Sequence, residues 1–177
     1  LHLSLRRQRQ MCIRDSLHSV QRPSRMVDLG TMTRPHPARP LPPDGDVVTA
    51  TDDEFDLFWS LSFAVTAETW TRLGGFDEAY EGYGAEDTDL GRRARSLGMR
   101  VQWVGGAHAY HQWHPAGSPP WRHLDDILRN GALFAERWGE WPMRGWMDSF
   151  IEGGAVEPHG DGYRRIASGT GVRSVQA

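Results

Sequence analysis

Two adjacent carboxylates, Glu86 and Asp87, stand where a glycine-rich stretch gives way to a helical pattern, in the run GGFDEAYEGYGAEDTDL over residues 74–90. A carboxylate at a helix start faces backbone N–H groups that lack partners within the helix, and also the positive end of the helix dipole, so it stays ionised near neutral pH. A fixed, ionised carboxylate is what a general base requires. Neighbouring positions lie about 100 degrees apart around the helix axis, so one acid points at a site while the other caps or braces. The plain alternative is that both acids only stabilise the dipole, because acids are enriched at helix starts. The preceding Gly82-Tyr83-Gly84 favours chemistry: glycines beside an aromatic let backbone approach a ligand and leave the ring face open to stack on it. Gly74 and Gly75 most simply form a turn, and would also let the chain pass close to a bound ligand.

A second group of candidates follows. His108, His111 and His114 recur every three residues, a spacing that shares one face of a helix but is split across a strand. Gly105-Gly106 and Tyr110 favour the strand, so only one histidine need be a ligand; His111 is placed first, neutral imidazole being a competent ligand for a borderline divalent ion. Trp113 and Trp121 could wall a cleft, although in a chain with eight tryptophans packing is the commoner role. HPAGSPP, residues 114–120, is turn-rich, and the stretch 112–120 is a candidate lid.

The elements that must position these residues are legible in part. Residues 34–45 hold five prolines and read as an extended surface loop. Residues 55–65, FDLFWSLSFAV, are dense in aromatic and apolar side chains and suggest a buried strand with helical ambiguity at its front. A short helix is expected from Thr66 or Glu68, with Trp70 and Leu73 on one face and Gly74 as its stop. From Glu86, the pattern Leu90, Ala94, Leu97 ending at Gly98 describes an amphipathic helix whose exposed face carries Arg92, Arg93 and Arg95. RVQWV, residues 100–104, reads as a strand broken by Gly105-Gly106. A longer helix fits residues 121–138, with Leu124, Ile127, Leu128, Leu133 and Phe134 buried, weakened by Gly131. A last helix is expected from Pro142 to about Ile151, and a polar, glycine-rich tail from Gly153. Strands alternating with helices indicate an α/β chain with too few elements for a complete doubly wound domain.

The 177 residues suffice for a real core, and 38% hydrophobic content suits a globular protein. No apolar run is long enough to span a bilayer, and the N-terminal residues, interrupted by four arginines, build no secretory signal. A cytoplasmic location, extending to the inner face of the membrane, is expected. One cysteine, Cys12, excludes an internal disulfide and a CxxC metal site. Residues 1–40 carry eight arginines against two acids, while the rest of the chain is acidic enough to bring the total to −3. An acidic body argues against nucleic acid and is compatible with recruiting a divalent cation, although a solvated acidic surface is the commoner cause. All basic residues are arginine.

The ordered set GGFDE, GYG, EDTDL, an arginine-bearing helix, a strand, and AYHQ resembles the C-terminal half of glycosyltransferases with the GT-A fold, in particular family 2 enzymes and the galactosyltransferase C-terminal domain. The resemblance covers roughly residues 55–115 and extends more weakly to about 150. It implies the C-terminal part of a nucleotide-diphospho-sugar transferase fold, an incomplete sheet with flanking helices. It further implies Asp87, which follows Glu86 in the Glu-Asp motif, as catalytic base of an inverting transfer, and Tyr83 as an acceptor-sugar contact; Gly74, Gly75, Gly84 and Trp113 join them as substrate-binding candidates on the reading of the residues given above. His111 is implied as ligand to a divalent metal, Mn2+ or Mg2+, that bridges the donor diphosphate. The partners implied are a nucleotide-diphosphate sugar and a carbohydrate or other hydroxyl acceptor. The metal-binding Asp-x-Asp of such enzymes lies well upstream of the Gly-Gly turn. Asp44-Gly45-Asp46 has that spelling but sits in the proline-rich loop, so the match is read as accidental and the chain as a C-terminal fragment, inactive by itself. Tyr83 stands where tryptophan is common in galactosyltransferases, which leaves the acceptor open.

The expected organisation is therefore a non-native or disordered arm over 1–25, whose MCIRDS resembles translated sequencing-adapter sequence. A proline-rich linker over 26–54, an acceptor and metal subdomain over 55–152, and a flexible tail over 153–177 complete it. Two rival readings are a noncatalytic carbohydrate- or partner-binding remnant of such an enzyme, and a metallohydrolase using the histidines with Asp87 or Asp89.

Overall fold

The computed structural model describes residues 38–107 and 117–167, which form two compact units. The first comprises residues 38–77 and 87–107, the second residues 78–86 and 117–167. The architecture is mixed α/β, and among the described residues its strands form two separate two-stranded antiparallel ladders. No helix among the described residues is long and apolar enough to cross a membrane.

In the first unit β1 (Val47–Thr49) pairs antiparallel with β2 (Gln102–Val104), Val48 opposite Trp103. β1 lies inside the stretch expected to be a linker, and the β-branched triplet Val47-Val48-Thr49 is the signal that marks it. The ladder closes because Gly105 has no side chain: a Cβ there would stand 1.9 Å from the Pro43 carbonyl oxygen. Asp44-Gly45-Asp46 forms the turn that feeds β1, with Gly45 at a φ of 87° and the Asp46 N–H donating to the Pro43 carbonyl at 3.0 Å.

The strand expected over 55–65 is replaced by a 3-10 helix, Asp52–Leu57, followed by tight turns. The Glu54 carboxylate accepts from the Thr51 N–H at 2.8 Å and starts that helix; beyond it the Trp59 and Leu61 N–H groups donate two residues back, so the backbone is satisfied locally. The aromatic side chains that suggested a strand instead cluster edge-on. Phe63 lies 5.2 Å from Phe58 and 6.3 Å from Phe76, and Trp70 lies 5.7 Å from Phe76. α1 (Ala67–Leu73) begins at Thr66, whose hydroxyl accepts from the Thr69 N–H, and ends at Gly74 in the left-handed region, as its capping residues dictate. α2 (Glu86–Ser96) buries Leu90 and Ala94 with Phe55 and Leu73, but Leu97 is exposed beyond its end. Arg92 and Arg93 do not simply face solvent: Arg92 pairs with Asp56 through two bonds at 2.7 and 2.5 Å. Gly91 is the reason Phe55 can pack so closely, since a Cβ there would meet the Phe55 carbonyl oxygen at 2.4 Å.

The second unit is built on α3 (Leu124–Trp138), entered through a 3-10 turn at Trp121–His123, and α4 (Arg144–Glu152). Leu124, Ile127, Met147, Phe150, Trp141 and Val156 form one core; Tyr80, Ala85 and Phe134 form another. The segment expected to be a tail from Gly153 contains a hairpin, β3 (Val156–His159) with β4 (Gly162–Arg165), whose Val156 is buried and whose Arg165 binds the Asp125 carboxylate at 2.6 Å. Its glycines mark turns rather than disorder, and one apolar side chain, Val156, anchors it to α4.

Candidate functional site

Asp87 is the second residue of α2 and is 2% exposed. Its Oδ1 accepts from the Thr88 N–H at 2.8 Å and its Oδ2 lies 3.4 Å from the Ser60 N–H. Backbone donors thus fix the carboxylate, as its place in the first turn leads one to expect. Glu86, one residue earlier, is half-buried. Ala85, immediately before it, has a φ of 74°, a left-handed conformation that is strained for a residue with a side chain. Burial of its methyl group with Tyr80 and Phe134 offsets part of that strain.

Asp89 is fully buried and holds Arg93 Nε at 2.8 Å, one helical turn on. The same guanidinium donates to the Leu73 carbonyl at 2.6 Å and the Gly75 carbonyl at 2.7 Å. Sequence reasoning missed this clasp, although Asp89 and Arg93 at i and i+4 announce an ion pair. It ties the double-glycine turn to the start of α2: the arginine satisfies carbonyls at the end of α1 while its charge balances a buried aspartate. Gly74 caps α1, and Gly75, at a φ of 71°, packs against the Trp70 ring. Both have direct structural uses. Asp89 is likewise engaged in the fold, which removes support from its use in a hydrolytic metal site.

Tyr83 is half-buried, and its ring is not left bare by the flanking glycines. It stacks on His123 at 4.4 Å and 12°, and on Trp146 at 5.9 Å and 28°. The glycines serve other ends: a Cβ on Gly82 would stand 2.2 Å from the Asp126 carboxylate carbon, and Gly84, at a φ of 100°, lies against Met143. The loop itself is held by Asn130, whose Nδ2 donates to the carbonyls of Glu81 at 3.0 Å, Tyr83 at 3.2 Å and Gly84 at 3.0 Å. Arg129 adds a bond to the Glu81 carbonyl. Asn130 also escaped sequence reasoning, yet an amide between Ile127 and Phe134 on an apolar helix stripe was a readable anomaly.

His108, His111, Trp113 and His114 lie outside the described residues, as does the 112–116 part of the candidate lid. Trp121 is exposed on one side and meets Phe150 edge-on at 4.9 Å. Among the described residues no group of three histidine, cysteine or acidic side chains could hold a metal ion, so they do not by themselves supply the expected centre.

Residues 50–115 match the family described as the N-terminal domain of galactosyltransferase, where the sequence resemblance was to a galactosyltransferase C-terminal domain. The validoxylamine A glucosyltransferase of Streptomyces hygroscopicus subsp. jinggangensis (strain 5008) is 38% identical over 60 residues, which cover 31% of this chain and 14% of that protein. The protein of the same description from Streptomyces hygroscopicus subsp. limoneus is 38% identical over 60 residues, covering 31% and 13%. The match thus spans about a seventh of the length of these curated relatives. No solved structure matches. This stretch, which contains the Gly-Gly turn, the Gly-Tyr-Gly loop and α2, is glycosyltransferase-like.

Proposed function

We propose that the chain carries the acceptor and base portion of a glycosyltransferase of the GT-A, family 2 type, which moves a hexosyl group from a nucleotide-diphosphate sugar to an acceptor hydroxyl with inversion. The observation that supports this most is Asp87: a carboxylate fixed by backbone N–H groups in the first turn of α2, within the segment similar to galactosyl- and glucosyltransferases. In the proposed step Asp87 takes the proton of the acceptor hydroxyl while that oxygen attacks the anomeric carbon. The bond from that carbon to the diphosphate oxygen breaks on the opposite side, and the nucleoside diphosphate leaves with the electron pair. Glu86 braces the helix start. Tyr83 is the proposed acceptor contact; Gly84 and Trp113 are proposed as further substrate-binding residues, and Gly74 and Gly75 are proposed to keep the backbone near the substrate. His111 is the proposed protein ligand to Mn2+ or Mg2+, which when bound neutralises the departing diphosphate.

The test offers the protein, combined with the nucleotide-binding half that this reading requires, a panel of nucleotide-diphosphate glucoses and galactoses with Mn2+ or Mg2+, with validoxylamine A and simple polyols as acceptors. Transfer is expected with at least one pair, and Asp87→Asn is expected to lower kcat by about 100-fold or more with donor binding retained. Wild-type turnover in the folded variant removes Asp87 from the reaction. The stacked row His123, Tyr83 and Trp146 also fits a binding module without catalysis, and saturable sugar binding with no transfer from any donor selects that reading.

A further inference from the structure

The second unit places an imidazole flat against the ring proposed to meet the acceptor. Tyr83 and His123 stack at 4.4 Å between centroids with only 12° between planes. The imidazole is held at one end: its Nε2 accepts from Arg122 Nε–H at 3.0 Å, while Nδ1 faces Asp126 Oδ2 at 3.6 Å. Asp126 is in turn fixed: Arg129 binds its Oδ1 at 3.0 Å, and its carboxylate occupies the space that a side chain on Gly82 would need. Asn130 and Arg129 meanwhile anchor the loop backbone that carries Tyr83. One turn of α3 therefore grips the loop by its carbonyls and supports the imidazole that lies on the loop's aromatic ring.

We infer that His123 is a positioning and specificity-determining residue for the acceptor, acting through Tyr83. This rests on the reading of Tyr83 as an acceptor contact. A stacked pair is worth about 0.5–1.5 kcal/mol beyond its buried area, and that preference confines the tyrosine to one orientation of its ring. Without the imidazole the Trp146 stack at 5.9 Å and 28° remains, so the ring is held less tightly rather than released, and the acceptor must select the competent orientation, which weakens its apparent affinity by the fraction so populated. His123 contacts neither donor nor reacting atoms in this scheme, so the effect falls on acceptor KM and spares kcat.

The experiment compares wild type, His123→Ala, His123→Phe and Tyr83→Ala, using the donor and acceptor pair that turns over in the panel above, with thermal unfolding and the His123 Hε1 chemical shift read alongside. His123→Ala is expected to raise acceptor KM roughly threefold to tenfold, the loss of one aromatic stack, with donor KM and kcat nearly unchanged. His123→Phe, which keeps a flat ring but not its polar edges, is expected to recover most of that loss. Tyr83→Ala is expected to raise acceptor KM as well and to move the His123 resonance downfield by removing the ring current. An unchanged acceptor KM in folded His123→Ala, or a phenylalanine variant no better than the alanine one, overturns the inference alone. Wild-type acceptor KM in Tyr83→Ala, or no transfer from any pair, overturns the parent reading and this inference with it.

Discussion

Asn130 shows how much can depend on one side chain. Buried at 1% exposure, it satisfies three carbonyls of the loop that carries Tyr83. Truncation to alanine takes this donor from the three carbonyls, of which Glu81 keeps its bond from Arg129, so Asn130→Ala should lower unfolding stability by about 2–4 kcal/mol in denaturant titration. Arg95→Ala removes an ion pair between side chains that are 48% and 77% exposed, and should move stability by less than about 1 kcal/mol. Equal losses in the two variants would contradict the role given to Asn130. At this scale the helix start marked Glu86 and Asp87 together as candidate fixed carboxylates, and the resemblance to glycosyltransferases singled out Asp87. The i, i+4 spacing of Asp89 and Arg93 and the amide of Asn130 on an apolar stripe were readable, but not what they hold, because the carbonyls they serve are located only by the fold.

Among the elements, α3 has a glycine at its middle and α4 one in its first turn, and the two should respond oppositely to the same substitution. A Cβ on Gly131 of α3 would stand 2.6 Å from the Trp141 ring, whereas one on Gly145 of α4 meets nothing within 4 Å. Alanine gains up to about 1 kcal/mol over glycine in a helix, but overpacking costs about 1–3 kcal/mol. Gly131→Ala should therefore destabilise and Gly145→Ala stabilise, a contrast that melting temperatures will show directly. The glycine that weakened the expected helix over 121–138 is thus what admits Trp141 to the core. Helices α1 and α2 were legible because Thr66, Gly74 and the acids at 86–87 carry local capping information. The 55–65 segment was misread because apolar density does not report backbone pairing: among the described residues no neighbouring strand receives it, and the Phe58, Trp59 and Leu61 N–H groups donate to carbonyls two or three residues back. The 153–165 hairpin was missed for the converse reason, glycine content having been taken for disorder although Val156 seats the strand in the core.

For the molecule as a whole, the glycosyltransferase-like segment is a continuous stretch of sequence, whereas each compact unit is assembled from separate stretches. The proposed metal requirement belongs at this scale. Chelation should abolish transfer, Mn2+ or Mg2+ should restore it, and His111→Ala should raise the metal concentration needed for half-maximal rate by about tenfold or more; activity that persists in chelator excludes the metal from the reaction. By itself the sequence determined the α/β class, the starts and stops of α1 and α2, and the glycosyltransferase-like motif order, because caps, turns and short-range periodicity are encoded within a few residues. Tertiary structure alone decided that Val47–Thr49 finds a strand partner at Gln102–Val104, that Asn130 serves a loop nearly fifty residues away, and that Tyr83 is stacked rather than bare. Those outcomes depend on groups distant in the chain meeting in space, where a hydrogen bond or a ring face has a partner that no local pattern specifies.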